Sequence, residues 1–247
     1  MSWPPGYGHL PLGEIASTLD EAARRFPELG GPTWITATRQ TCARGRRGRP
    51  WENPEGNFAA TLVLPAVAPE TAALRSFAAA LALFDACAAV TGRPEAFALK
   101  WPNDVLLNGG KLAGILLESL MARGGMAGLA IGIGVNLADA PGAGAVEEGA
   151  LRPVSLAGAT GARVSPEDFL AELAPAYAGW EAQLTAYGFA PLRTAWMARA
   201  AKLGETITAR LPAEEVTGVF REVDAAGYLV LSTSDGLRRI AAGDVFF

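Results

Sequence analysis

The sequence predicts an α+β protein: a mixed, mostly antiparallel sheet with helices on one face, followed by a small C-terminal β-barrel. Three observations carry this expectation. Between residues 97 and 137, short apolar runs alternate with Asn/Gly-containing turns, which is the pattern of a β-meander. The stretches 71–91 and 166–187 are too long for strands and carry helix-length apolar patterning. From Gly204 onward the chain consists of short β-rich runs. The boundary falls at 202–204, which gives a large domain over 1–202 and a small one over 203–247.

Residues 1–13 are rich in Pro and Gly and are expected to form an irregular leader. Ser17 or Thr18 caps a short helix through Leu19, Ala22, Ala23 and Phe26. Residues 27–32 break it, and the β-branched, aromatic run 33–38 (TWITAT) is a strand. A polar Gly/Arg loop spans 43–57, and 58–64 (FAATLVL) returns to strand until the prolines at 65 and 69. The helix over 71–91 is apolar almost all round, so it belongs inside. Short strands follow at 97–100 and 105–107. Asn108-Gly109-Gly110 supplies the positive-φ residues of a tight hairpin. Strands at 112–120 and 129–137 flank a turn at Arg123-Gly124-Gly125, and 139–153 is a loop. Ser165-Pro166 opens a helix, with Ser as N-cap and Pro in the first position. It runs to about 187, and another covers 189–201. In the tail, Gly227 and Asp235-Gly236 mark hairpins between strands.

The chain has 247 residues, 50% hydrophobic and 19% charged, with net charge −4, so it can bury a core without cross-links. Disordered, collagen-like and disulfide-framework classes are excluded. Cys42 and Cys87 are too few for a Cys₄ zinc site and fit free thiols in a reducing compartment. With His9 as the one histidine, mechanisms needing two are excluded. The most apolar stretch, 77–90, is shorter than the roughly 20 residues of a membrane-spanning helix. The N-terminus lacks the pattern of a secretory signal, so no membrane association and a cytoplasmic location are expected. The acidic balance argues against a general nucleic-acid binder.

Three motifs stand out. Arg44-Gly45-Arg46-Arg47-Gly48-Arg49 places four arginines within six residues of an acidic chain. Guanidinium forks suit phosphate and carboxylate oxygens, and mutual repulsion is expected to keep the loop open until an anion arrives. A solvated basic loop or a nucleic-acid contact has the same composition. Trp51 follows, either as a stacking platform or as a core anchor. The second motif is Lys100-Trp101-Pro102-Asn103-Asp104 with Lys111-Leu112-Ala113-Gly114. Both lysines can point to one end of the sheet, where they and Asp104 suit an acidic substrate and a metal. A polar hairpin with a structural Trp-Pro corner is the plainer alternative. Gly110-Lys111 is not a P-loop, because Leu112 follows the lysine. The third motif, Gly132-Ile133-Gly134-Val135-Asn136, lacks the third glycine of a dinucleotide fold. Glycines in a strand mark close approach of a ligand or of another backbone. Asn136 can pair with an adenine edge or satisfy a strand end.

Together and in this order, RGRRGRPW (44–51), KWPND (100–104), KLAGILLE (111–118) and GIGVNL (132–137) resemble the biotin protein ligase family. The resemblance spans roughly 15–247. It implies a class II synthetase-like biotin/lipoate ligase fold with an SH3-like C-terminal barrel. It also implies a two-step reaction: biotin and Mg·ATP give biotinyl-5′-adenylate, and a lysine of a biotin carboxyl carrier domain then attacks it. The cofactors implied are ATP and Mg²⁺, with biotin as substrate. By the family pattern Lys111, Arg46 and Arg44 are catalytic. Ser17, Thr18, Gln40, Arg44, Gly45, Arg46, Lys111 and Gly114 hold biotin. Arg46, Arg47, Arg49, Trp51, Lys100, Asn103, Asp104 and Asn136 hold the nucleotide. Magnesium arrives on ATP, with Asp104 as the one candidate contact in the chain.

Ala43 and Leu19 depart from the residues common in the family, at the loop and at the pocket edge respectively. Only 16 residues precede Ser17, too few for the helix-turn-helix module of the family's repressors, so no DNA partner is expected. A homodimer is one assembly the resemblance leaves open. The rival functions are a lipoate–protein ligase, which shares the adenylation chemistry, and a biotin-binding regulator without ligase activity. RGRRGR and KWPND favour biotin over lipoate, and the intact arginine loop with Lys111 argues against an inactive sensor.

Overall fold

The computed structural model describes residues 2–121, 127–142 and 149–247. Its main sheet contains β1 (Gly8–Ile15), β2 (Thr33–Gln40), β3 (Phe58–Pro65), β4 (Phe97–Lys100), β5 (Asp104–Leu107), β6 (Gly110–Met121) and β7 (Ala127–Val135). Their spatial order is β1-β2-β3-β7-β6-β5-β4. The β1–β2 pair is parallel and every other pair antiparallel, so the sheet is mixed and mostly antiparallel as expected. The expected irregular leader is corrected in part: residues 8–15 form β1. Pro11 is tolerated there because β1 is an edge strand, where a missing N–H costs no ladder bond. The turn expected at 123–125 lies outside the described residues.

Ser17 caps α1 (Thr18–Arg25), its hydroxyl oxygen accepting from the N–H groups of Leu19 and Asp20. The helix expected over 71–91 is split into a single turn, α2 (Pro69–Ala72), and α3 (Arg75–Thr91), which Gly92 ends in the left-handed region. A short α4 (Leu156–Thr160), not foreseen, precedes α5 (Pro166–Tyr187), which starts at the expected Ser165-Pro166 signal. The next helix, α6 (Phe189–Met197), ends short of residue 201.

Period-2 alternation divides the sheet residues between two faces. Trp34, Phe58, Ala60, Leu62 and Leu64 pack with α3, α5 and α6 in the main core. Ile35, Val63 and Ala130 pack on the other face against Leu19 and Ala22 of α1 and Phe26 just after it. The large helices thus share one face, and the short α1 covers only part of the opposite one. Residues 69–91 are long and apolar enough to cross a membrane by composition, but α3 is the central core helix, with Phe77 through Phe84 all buried.

The C-terminal sheet is antiparallel, in the order β11-β10-β9-β8-β12. It comprises β8 (Thr206–Arg210), β9 (Glu215–Val223), β10 (Leu229–Thr233), β11 (Gly236–Ile240) and β12 (Asp244–Phe246). Gly227 and Gly236 take the positive φ their hairpins require. Trp101 is buried and donates its indole N–H to the Gly227 carbonyl at 3.1 Å, tying the small sheet to the corner before β5.

Candidate active site

A cavity of about 390 Å³ opens on the α1 side of the main sheet. Its floor is built of glycine. Gly114 of β6 lies opposite Gly134 of β7, and the missing side chains leave room for Trp51. A Cβ on Gly134 would come within 2.5 Å of the indole Nε1, and one on Gly114 within 3.3 Å of Cζ3. The glycines of GIGVN therefore serve close approach, as strand glycines do.

One end of the cavity is neutral and polar. The Thr18 main-chain N–H and hydroxyl both donate to Gln40 Oε1, at 2.7 and 3.0 Å. Thr61 donates to the Thr18 hydroxyl oxygen at 2.8 Å. These bonds commit Thr18 and orient Gln40 so that its amide N–H groups are left for a ligand. The Ser17 oxygen already accepts two helix N–H groups, so its own proton is the one it can give.

The other end is cationic. Asp104, 7% exposed at the start of β5, receives Lys111 Nζ at 2.7 Å and Lys100 Nζ at 3.7 Å. The Asn108-Gly109 hairpin, with φ of 48° and 79°, folds β5 onto β6 and brings Lys111 back to Asp104. Burial pulls the Lys100 pKa below the usual lysine value, Asp104 opposes that shift, and the like charge of Lys111 adds to it. Asn103 donates to the Ile115 carbonyl at 2.7 Å, which fixes the corner between the two lysines. Lys111 also lies 5.7 Å from the Trp51 ring centre, within cation–π range.

The arginine loop is closed, which corrects the expectation that repulsion holds it open. A carboxylate of this chain supplies the anion. Asp244 of β12 takes Arg46 at 3.2 Å, Arg47 at 3.0 Å and Arg49 at 3.1 Å. The loop turns through left-handed φ at Arg47 and Gly48, which lets neighbouring side chains converge on one point. Arg46 also donates to the Gly243 carbonyl at 3.1 Å. Arg44 stands apart from that cluster. Its guanidinium makes a two-pronged bond to Glu118, at 3.0 and 2.9 Å, and a third to Asp20 at 2.8 Å. These hydrogen bonds raise its pKa and hold it as a strut between α1 and β6.

Asn136, 2% exposed, donates to the Val154 carbonyl at 3.2 Å, while its Oδ1 has no partner among the described residues. A buried acceptor without a donor is costly, and a ligand N–H at the cavity wall would satisfy it.

Of the residues singled out in the sequence, Ser17, Thr18, Gln40, Arg44, Gly45, Arg46, Arg49, Trp51, Lys100, Asn103, Asp104, Lys111, Gly114 and Asn136 all line this cavity. Arg47 does not; it meets the site only through Asp244. Sequence reasoning missed Asp244, Glu118 and Asp20 as partners of the arginines, and Thr61 as the support of Thr18. Asp244 and Asp20 stand outside the quoted motifs, and Glu118, although it closes KLAGILLE, carries no local sign of pairing with an arginine 74 residues away. As to magnesium, no cluster of three or more metal-ligating side chains occurs among the described residues, and Asp104 is held between two ammonium groups.

Comparison with known proteins agrees with this layout. Residues 12–136 match the Biotin/lipoate A/B protein ligase family, and 202–247 match the Biotin protein ligase C terminal domain. A biotin–[acetyl-CoA-carboxylase] ligase of Paracoccus denitrificans is 54% identical over 237 residues, 96% of this chain and 99% of that protein. The biotin protein ligase of Aquifex aeolicus, solved with biotin and ATP, superposes with a TM-score of 0.82 at 24% identity, covering 96% of this chain and 97% of that one. The Leishmania major enzyme, solved with biotinyl-5-AMP, superposes with a TM-score of 0.66 at 25% identity, covering 97% and 100%. The fold, the glycine-floored cavity and the near full-length identity converge: this chain belongs to the biotin/lipoate A/B protein ligase family.

Proposed function

We propose that the protein is a biotin–protein ligase, which joins biotin to ATP as biotinyl-5′-adenylate and passes the biotinyl group to a lysine of a carboxyl carrier domain. The observation that carries this reading is the polarity of the cavity. One end offers the Ser17 hydroxyl and the amide N–H groups of Gln40, donors that match the carbonyl oxygen of a cyclic urea. The other offers Lys111, Lys100 and Arg46, groups that match a carboxylate and phosphates. Lipoate carries a dithiolane at the corresponding end, which would leave Gln40 and Ser17 without partners. The Paracoccus relative is named for the same reaction.

In the first step a biotin carboxylate oxygen attacks the α-phosphorus of ATP, and pyrophosphate leaves. Lys111 faces the charge that develops on the α-phosphate, and Asp104 keeps it aimed there. Arg46 and Arg49 exchange Asp244 for phosphate oxygens. Arg44 anchors the loop through Glu118 and Asp20. Trp51 offers a stacking face, and Asn136 Oδ1 accepts the N–H of the base. Magnesium enters with ATP as part of the substrate. In the second step the carrier lysine attacks the acyl carbonyl, AMP leaves, and an amide forms.

Biotin-dependent exchange between ATP and pyrophosphate tests the reading. Exchange with biotin and not with lipoate is expected; exchange with lipoate alone would overturn it. Gly134→Ala should displace the Trp51 indole, raising KM for ATP by about tenfold with little change in unfolding midpoint, because Trp51 sits on a loop. Steady-state kinetics and urea unfolding on the same sample check this. With net charge −4, the protein should show no operator-selective DNA binding at physiological salt, and a selective shift in a gel assay would overturn that.

A further inference from the structure

We infer that Asn57, which does not line the cavity, is a positioning residue for the nucleotide side of the site: its carboxamide locks the backbone at Ala138–Asp139 to the end of the arginine loop, so that Trp51 and Pro141 meet the ligand as one unit. This inference rests on the adenylation reading above.

Asn57 is 2% exposed and stands at the junction of two cavity walls. On one side, six residues back along the chain, is Trp51, and the Asn57 N–H closes a turn onto the Pro54 carbonyl at 3.1 Å. On the other side is the chain leaving β7. The β3–β7 ladder ends at the Phe58–Val135 pair. Beyond it the Asn57 side chain continues the pairing that main chain no longer makes. Its Oδ1 accepts from Ala138 N–H at 2.9 Å and Asp139 N–H at 3.1 Å. Its Nδ2 donates to the Asp139 carbonyl at 2.9 Å. A carboxamide carries the same donor and acceptor as a peptide group, so it can stand in for one.

Gly56 makes the approach close. Its φ is +83°, and a Cβ there would lie 2.9 Å from the Ala138 Cβ. Two residues past Asp139, Pro141 lines the cavity, as Trp51 and Glu52 do on the other side of the clamp. The neutral polar end is held separately, by Ser17, Thr18, Gln40 and Thr61. Loss of the Asn57 bonds should therefore loosen the nucleotide wall and leave the biotin end as it was.

The test compares the full chain with Asn57→Ala, Asn57→Asp and Gly56→Ala. The readouts are KM for ATP and kcat in biotin-dependent exchange, and biotin affinity by calorimetry without ATP. Asn57→Ala and Gly56→Ala should raise KM for ATP by about tenfold or more, with biotin affinity held within about threefold. Asn57→Asp keeps both acceptor bonds but sets a carboxylate oxygen against the Asp139 carbonyl, so its KM should fall between the parent and Asn57→Ala. Gly56→Ala leaves Asn57 in place and carries the same test if Asn57→Ala does not fold. Equal loss of biotin and ATP binding, or an unchanged KM for ATP, would overturn the inference while an active parent left the ligase reading standing. An inactive parent would overturn both.

Discussion

Lys111→Ala slows formation of the adenylate by roughly 10²–10³-fold, the expected cost of losing about 2–4 kcal/mol of transition-state stabilisation from a fixed charge. The structure makes this a clean substitution. Asp104 retains Lys100 when Lys111 is gone, so no buried carboxylate is stranded and the fold should survive. The Lys111 main chain keeps its bonds to Arg152 and Val154, so the cavity wall stays in place. The measurement is the single-turnover rate of pyrophosphate release, with the unfolding midpoint as control. A rate equal to the parent's would show that the lysine serves only to neutralise Asp104.

Arg46→Gly should separate making the adenylate from keeping it. Arg46 is the loop arginine that reaches deepest, bonding to Asp244 and the Gly243 carbonyl, 3.5 Å from Asn103 Oδ1. Arg47 and Arg49 would still hold Asp244, so the loop retains part of its closure. Lys111 and magnesium still serve activation. The bound intermediate, however, loses a phosphate contact and gains a pliable residue beside Gly45, and a loosened lid admits water and stray amines. The expected result is adenylate dissociation faster by at least about tenfold, with formation reduced far less. Labelling of a bystander protein, read on a streptavidin blot, should rise with it. Unchanged dissociation at a comparable rate of formation would confine Arg46 to tying the loop to β12 and overturn its role in retention.

Local signals read well from this sequence because local chemistry decided them. Ser17 and Ser165 cap helices since a side-chain oxygen there satisfies first-turn N–H groups that nothing else reaches. Asn108-Gly109 turns a hairpin since both residues accept positive φ. The cavity residues that travel in motifs were legible for the same reason, being close in sequence to the elements that place them. Features decided by distant partners were not. β1 reads as a Pro/Gly leader and becomes a strand because β2 offers it an open parallel edge. The charge on the arginine loop predicts an open segment, and Asp244, some 200 residues later, closes it. Arg44 looks like its three neighbours, yet Glu118 and Asp20 remove it from their number.

The clamp on Asp244 also bears on how the molecule is born. Arg49 and Asp244 are 195 positions apart, so the loop emerges from the ribosome long before the carboxylate that gathers it. Domains fold as units during synthesis, N-terminal portions first. Arg44 can reach Glu118 and Asp20 as soon as β6 is in place, whereas the contacts of Arg46, Arg47 and Arg49 with Asp244 wait for the last strand of the small sheet. Synthesis that halts before residue 244 would leave Arg46, Arg47 and Arg49 without the carboxylate on which they converge, and the loop open to the anionic polymers around it. Arrival of β12 and closure of the loop on Asp244 are then the same event.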